Sequence, residues 1–100
     1  MVTGLQQSAA NAAMLKIGET FLEVFEFSAP EPATQTGDRP VNNHGITHIC
    51  LEVADIDAEY ERLKSAGMRF NCAPQRQDGS SMVYGRDPDG NVLELIEFTA

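Results

Sequence analysis

One hundred residues with 42% hydrophobic content make one domain with a limited core, which a metal or an oligomeric partner would reinforce. Fifteen acids against seven Lys and Arg give a formal net charge of −8, and no basic run occurs, which argues against a nucleic-acid backbone as partner. Cys50 and Cys72 are too few for a disulfide scaffold and form no Cys-x-x-Cys pair. No apolar run approaches the roughly 18 residues of a membrane span, so no membrane partner and a cytoplasmic location are expected.

Residues 1–12 are weakly patterned, and Gln6 to Ala13 suits helix or strand equally. Met14 to Ile17, Gly18-Glu19-Thr20 and a strand at 20–27 read as a hairpin. Phe21, Glu23, Phe25 and Phe27 share one face of its second strand by the two-residue period. Residues 28–43 hold Pro30, Pro32, Gly37 and Pro40 among small polar residues and read as a linker. His44 to Val53 reads as a strand, with Ile46, His48 and Cys50 on one face and Thr47, Ile49, Leu51 and Val53 on the other. Asp55 suits an N-cap, and Ile56, Tyr60 and Leu63 follow helical spacing, which predicts a helix over 56–66. Gly67 stands where a left-handed cap belongs. Met68 to Phe70 suits a short strand, Pro74 to Gly79 a loop, and Ser81 to Arg86 another strand. Asp87-Pro88-Asp89-Gly90-Asn91 is a turn, and Val92 to Phe98 is a strand of buried composition. The second half therefore reads β–α–β–β–β, and the first only as the last strands of the same pattern.

A repeat supports that reading. Residues 21–27, FLEVFEF, align with 92–98, VLELIEF, and four of seven positions are identical. Glu23 and Glu94 take equivalent places. A carboxylate among apolar strand residues costs several kcal/mol unless a cation, a donor or water meets it. Glu26 and Glu97 also repeat, but at the other parity, and are expected to face solvent. His48, Glu94 and Glu23 thus form the candidate constellation: imidazole with carboxylates suits Zn, Ni, Fe or Mn. Taken singly, each has a plain alternative, His48 bonded to backbone and Glu94 half-exposed on an edge. His44 and His48 would stand ~13 Å apart along a strand, too far for a shared ion. Cys50 lies two residues from His48 and pairs with it as a conceivable thiolate–imidazole couple, though free cysteines more often serve as small hydrophobes. Tyr84 and Arg86 suit either an anionic substrate or, for Arg86, a brace on Asp87 or Asp89.

The runs GITHICLEVADIDAEYERLKSAGMRF and YGRDPDGNVLELIEF resemble the C-terminal module of the vicinal oxygen chelate superfamily. That group includes glyoxalase I, methylmalonyl-CoA epimerase, extradiol dioxygenases, and bleomycin- and fosfomycin-resistance proteins. The resemblance covers residues 45–98, while 14–27 look like the end of a first module. It implies an α+β fold of βαβββ modules forming a curled, half-barrel mixed sheet, with the first module (1–27) incomplete, a linker at 28–44 and a complete module at 45–98. It implies a divalent metal held by a strand histidine and a last-strand glutamate of each module. Carried over, His48 and Glu94 match the second module's pair and Glu23 the first module's glutamate. The first module's histidine has no counterpart. Glu94 or Glu23 would then serve as the proton-transfer base. The resemblance implies a metal-dependent lyase or isomerase acting on a small oxygenated substrate. The alternative is a metal-free protein that sequesters a drug-like molecule, of the bleomycin-resistance type. Two chains pairing their complete modules about a two-fold axis would bring two His48–Glu94 pairs together as a homodimer.

Overall fold

A computed structural model describes residues 3–33 and 37–99. Residues 1–2 of the expected first module and 34–36 of the expected linker lie outside the described residues. The chain forms two compact units, Met1–Thr36 and Gly37–Ala100. Among the described residues no helix is long and apolar enough to cross a membrane.

The first unit is an antiparallel hairpin of β1 (Ala9–Ile17) and β2 (Thr20–Ala29). Gly18, at φ 59, makes its turn. The strand begins well before Met14, because the small residues Ala10 and Ala12 pair with Phe27 and Phe25. Cross-strand pairing with aromatics overrides the weak local preference of the alanine run. Phe25 and Phe27 stack with centroids 5.6 Å apart, as the shared face requires. Met14, Leu15, Phe21, Val24 and Phe25 are all exposed.

The second unit runs β3 (His48–Glu52), α1 (Ile56–Ser65), β4 (Arg69–Phe70), β5 (Gln75–Gln77), β6 (Ser80–Arg86) and β7 (Val92–Phe98). Its sheet is mixed and α+β in class. The strand order is β3-β7-β6-β4, with β5 also paired to β6. The β3–β7 pair is parallel and the others antiparallel. The expected loop at 74–79 contains β5, whose polar Gln-Arg-Gln carries no alternation but pairs with Ser80 to Met82.

Register decides the faces. Leu51, Leu95 and Val83 stand in one row across β3, β7 and β6. Leu95 and Val83 are buried with Ile56, and Leu51, Val53, Tyr60, Leu63 and Phe70 pack around them. This row is the side that α1 covers. The helix starts on Asp55, whose carboxylate accepts from the Ala58 N–H at 3.1 Å, and ends before Gly67 at φ 105. Gly85, on the same sheet face, leaves the room that the Phe70 ring fills: an added Cβ would sit 2.8 Å from that ring.

Glu97 corrects an expectation. It does not face solvent but turns to the helix side, where its Oε1 accepts the Ile56 N–H at 2.8 Å. A carboxylate there satisfies an unpaired amide of the first turn and suits the helix dipole. Glu26, by contrast, is exposed on β2.

The segment before β3 is tied down by charge. Asp38 accepts two bonds from Arg69, at 2.8 and 3.0 Å, and Arg86 Nε lies 3.7 Å away. The hydrogen bond from Arg69 is the main reason that its carboxyl titrates below the ordinary 3.8, with the charges of Arg69 and Arg86 adding to it. A depressed carboxyl stabilises above its unfolded value and loses that contribution as pH falls through the folded one. Acid below 3.8 is therefore expected to release the 37–44 segment, read as loss of the Arg69 side-chain shifts by NMR. In Asp38→Asn those shifts should already be lost at neutral pH, and retention of the wild-type shifts in the variant would reject the clip.

Candidate metal and ligand site

The row one residue out of phase with the core row is Cys50, Glu94 and Tyr84, again across β3, β7 and β6. Side chains alternate, so this row faces away from α1. His48 is two residues from Cys50 and joins it on that face. His48 Nε2 lies 3.2 Å from Glu94 Oε1 and 3.3 Å from the Tyr84 hydroxyl. The His48 and Tyr84 rings are tilted against each other with centroids 4.9 Å apart. Glu94 is nearly buried, its side chain 12% exposed, while His48 remains 28% exposed. The acid among leucines has found its donors, and the imidazole keeps an open edge.

Thr47 completes the arrangement. Its Oγ1 is 3.0 Å from His48 Nδ1. With Nε2–H donating to Glu94, Nδ1 is a bare acceptor and the Thr47 hydroxyl donates to it. Sequence periodicity missed Thr47, since alternation puts it on the opposite face. It precedes β3, so the strand rule does not govern it.

The titration of two neighbours fits this crowding. Burial pushes the Tyr84 phenol above its ordinary value, and the hydrogen bond and charge of Glu94 add to the shift. Tyr84 therefore keeps its proton and can donate it. Desolvation likewise raises the Cys50 thiol, followed by the charge and hydrogen bond of Glu94. A raised thiol is a poor source of thiolate, which works against Cys50 as a nucleophile. Cys50 is also exposed rather than a buried hydrophobe.

Arg86 does not join the row as a free cation. Its guanidinium donates to the Gly90 carbonyl at 2.9 Å and so braces the turn, through a partner other than the two expected aspartates. Asp87 organises that turn: its Oδ1 accepts from the Asp89 and Asn91 amides at 2.9 and 2.8 Å. The turn sets where β7 begins, and hence where Glu94 stands.

Glu23 lies on β2 of the first unit, opposite Met14 and exposed. Among the described residues of the second unit, no third His, Cys, Asp or Glu joins His48 and Glu94 as a cation cluster. The donor chemistry of the pair nevertheless fits a first-row divalent ion. A borderline imidazole nitrogen and a hard carboxylate oxygen converge beside an exposed edge, with Thr47 placed to orient the ring. The pair fits as two ligands of a larger set.

The chain is similar to several known proteins. A 2-epi-5-epi-valiolone epimerase from Actinomyces sp is 37% identical over 101 residues, covering 93% of this chain and 54% of that protein. Metallothiol transferase FosB from Shouchella clausii is 40% identical over 63 residues, covering 58% of this chain and 42% of its own length. The chain thus spans about half the length of these curated relatives. Among solved structures, a glyoxalase family protein from Bacillus cereus superposes with a TM-score of 0.86 at 26% identity, over 99% of this chain and 68% of that one. The sequence profile of the Glyoxalase/Bleomycin resistance protein/Dioxygenase superfamily matches residues 3–95, and the chain belongs to that superfamily.

Proposed function

We propose that this chain is a metal-dependent, glyoxalase-like enzyme, a lyase or isomerase acting on a small oxygenated substrate. The observation that carries the proposal is the convergence of His48 Nε2 and Glu94 Oε1 on the face that α1 leaves uncovered. His48 and Glu94 are its metal ligands. Glu23, or a second His48–Glu94 pair from another copy in a homodimer, completes the set. The exposed apolar side chains of the β1–β2 hairpin favour such an assembly, because patches of this kind mark contact surfaces. The protein works in the cytoplasm as a complex of small molecule and cation.

A divalent Zn, Ni, Fe or Mn ion held by His48 and Glu94 would supply Lewis-acid polarisation of a substrate oxygen. The chain's own groups do the rest. The Glu94 carboxylate, or that of Glu23, takes the proton from the carbon next to the polarised oxygen. Tyr84, a phenol whose ordinary pKa of 10.0 is only raised further by burial and Glu94, donates a hydrogen bond to the oxygen where charge builds. Thr47 holds the imidazole plane. Similarity to an epimerase favours the isomerase branch, since epimerisation moves one proton off carbon and back.

A second reading is a metal-free protein that sequesters a drug-like ligand. It is favoured by the fact that Nε2 already has Glu94 and Tyr84 as partners and does not need an ion to satisfy it. Elemental analysis after purification without chelator separates the two. Stoichiometric Zn, Ni, Fe or Mn supports the enzyme. A metal-free protein whose melting temperature rises with a drug-like ligand rejects it in favour of the binder.

Thr47 gives a further test. To meet a metal through Nε2, the ring must place its remaining proton on Nδ1, and the Thr47 hydroxyl then accepts where it previously donated. Only a hydroxyl does both. Thr47→Val is expected to weaken metal affinity by about tenfold, the lower end for loss of an orienting partner, and Thr47→Ser to restore it. Chelator competition reads the affinity. Equal affinities in wild type and Thr47→Val would remove Thr47 from the site.

A further inference from the structure

The second unit holds a pocket that shares only Thr47 with the proposed metal site. Arg39, Asn43, His44, Thr47, Arg86 and Val92 line it. Five of its nine lining residues carry side-chain N–H or O–H donors. Among the described residues no carboxylate lines it, Asp38 standing just outside, in a chain whose acids outnumber Lys and Arg by fifteen to seven. The location is specific. Val92 is the cross-strand partner of His48, and the Thr47 hydroxyl bonds His48 Nδ1. Thr47 thus links the pocket to the Nδ1 edge of the imidazole, while Glu94 stands on the Nε2 side.

The charges around it have separate duties. Arg86 donates to the Gly90 carbonyl, and Asp38 sits 3.7 Å from its Nε. Asp38 is engaged mainly by Arg69, which leaves Arg86 only partly compensated. Arg39 adds a second guanidinium from the segment that the Asp38 clip holds in place. Guanidinium groups match the planar geometry of oxyanions, and flanking neutral donors complete the recognition.

We propose that this pocket is a subsite for a compact oxyanion, a carboxylate or a phosphate, carried by the substrate that meets His48 and Glu94. The substrate class narrows to small polyoxygenated acids or phosphate esters. The assignment of the reacting end rests on the function proposed above. The pocket's own affinity for an anion does not, because it shares only Thr47 with the metal site, and Arg39, Asn43, His44 and Arg86 are no part of the His48–Glu94 pair.

The test uses the full chain, stripped of metal by chelator and labelled with 15N. Inorganic phosphate is titrated in one series and acetate in another, at constant ionic strength. Saturable shifts of the Asn43, Thr47 and Gly90 amides are expected with at least one anion, and the stronger of the two identifies the group. Arg39→Gln should weaken that binding at least tenfold, through loss of a charge-assisted contact at an exposed position that the fold does not need. His44→Gln should weaken it by a smaller factor. An unchanged amide spectrum elsewhere certifies that both variants fold. The absence of saturable shifts with either anion at tens of millimolar overturns the proposal. So does equal affinity in the wild type and in both variants. Metal is absent throughout, so failure of the metal reading would leave these titrations unaltered.

Discussion

His48→Ala is expected to reduce divalent-metal affinity by at least about 100-fold, so that the purified protein retains no stoichiometric ion. The magnitude follows from a comparison: partners that only orient a ligand are worth about 10–100-fold, and His48 is itself the proposed ligand. Stability should fall by about 1–3 kcal/mol, because Glu94, 12% exposed, loses its imidazole donor, while the ring itself is 28% exposed and takes no part in the helix core. Glu94→Gln completes the comparison. The amide keeps the shape and one acceptor for Nε2, but it removes the charge that a cation needs. It is expected to bind metal about 100-fold more weakly, as His48→Ala does, and to remain folded, since a neutral isostere at a nearly buried position avoids a desolvation cost. It should also lower turnover even with metal in excess if Glu94 is the base. Competition with a coloured chelator gives the affinities, and urea unfolding gives the stabilities. Wild-type metal content in both variants would reject the metal-dependent enzyme and leave the sequestering reading.

Much of the second unit could be read before the structure because several local signals agreed there. Asp55 as a cap, the spacing of Ile56, Tyr60 and Leu63, and Gly67 beyond the end all pointed to one helix, and α1 occupies Ile56–Ser65. His48 and Glu94 were legible for a different reason. An acid between leucines must be compensated, and the repeat of Glu23 and Glu94 together with the family resemblance singled out the strand imidazole as its partner, while their meeting at 3.2 Å depends on the β3–β7 register. What escaped is equally physical. The polar β5 strand is created by its pairing with β6, not by its own composition. Ala9 to Ala13 became strand because phenylalanines stand opposite it. Glu97 looked like a solvent residue on its strand, since nothing in the linear pattern reports that an unpaired helix amide will arrive 2.8 Å away. Thr47 acts from just outside the strand, where alternation gives no information. In each case the deciding partner is remote in sequence, and the local residues are neutral between outcomes.

The largest expected loss of stability lies on the opposite face from the candidate site. Ile56 is fully buried and touches the core formed with Val83 and Leu95. It is also the first residue of α1, and its N–H is held by Glu97 on β7. One residue therefore docks the only described helix onto the sheet twice, by its side chain and by its backbone. Ile56→Ala is expected to cost about 3–4 kcal/mol, the transfer term plus the cavity left when the surroundings relax incompletely. That is a large fraction of the ~5–15 kcal/mol typical of whole domains. Alanine keeps the N–H, so the measured loss isolates the side chain. Glu97→Ala does the reverse and should cost about 1–2 kcal/mol, by leaving that amide unpaired in a buried position. The two act on one anchor, so the double variant should depart from additivity by at least about 0.5 kcal/mol. Urea midpoints read all three, with an unchanged slope showing that the unfolded reference has not moved. A loss below about 1 kcal/mol for Ile56→Ala would show that the helix does not depend on this anchor. The folded fraction of Ile56→Ala should bind metal with wild-type affinity, because the Leu51–Leu95–Val83 row separates the anchor from the Cys50–Glu94–Tyr84 row. His48→Ala should show the converse, metal lost at a smaller cost in stability than Ile56→Ala. That double dissociation follows from strand alternation alone, and it holds only if the two rows face opposite sides of the same sheet.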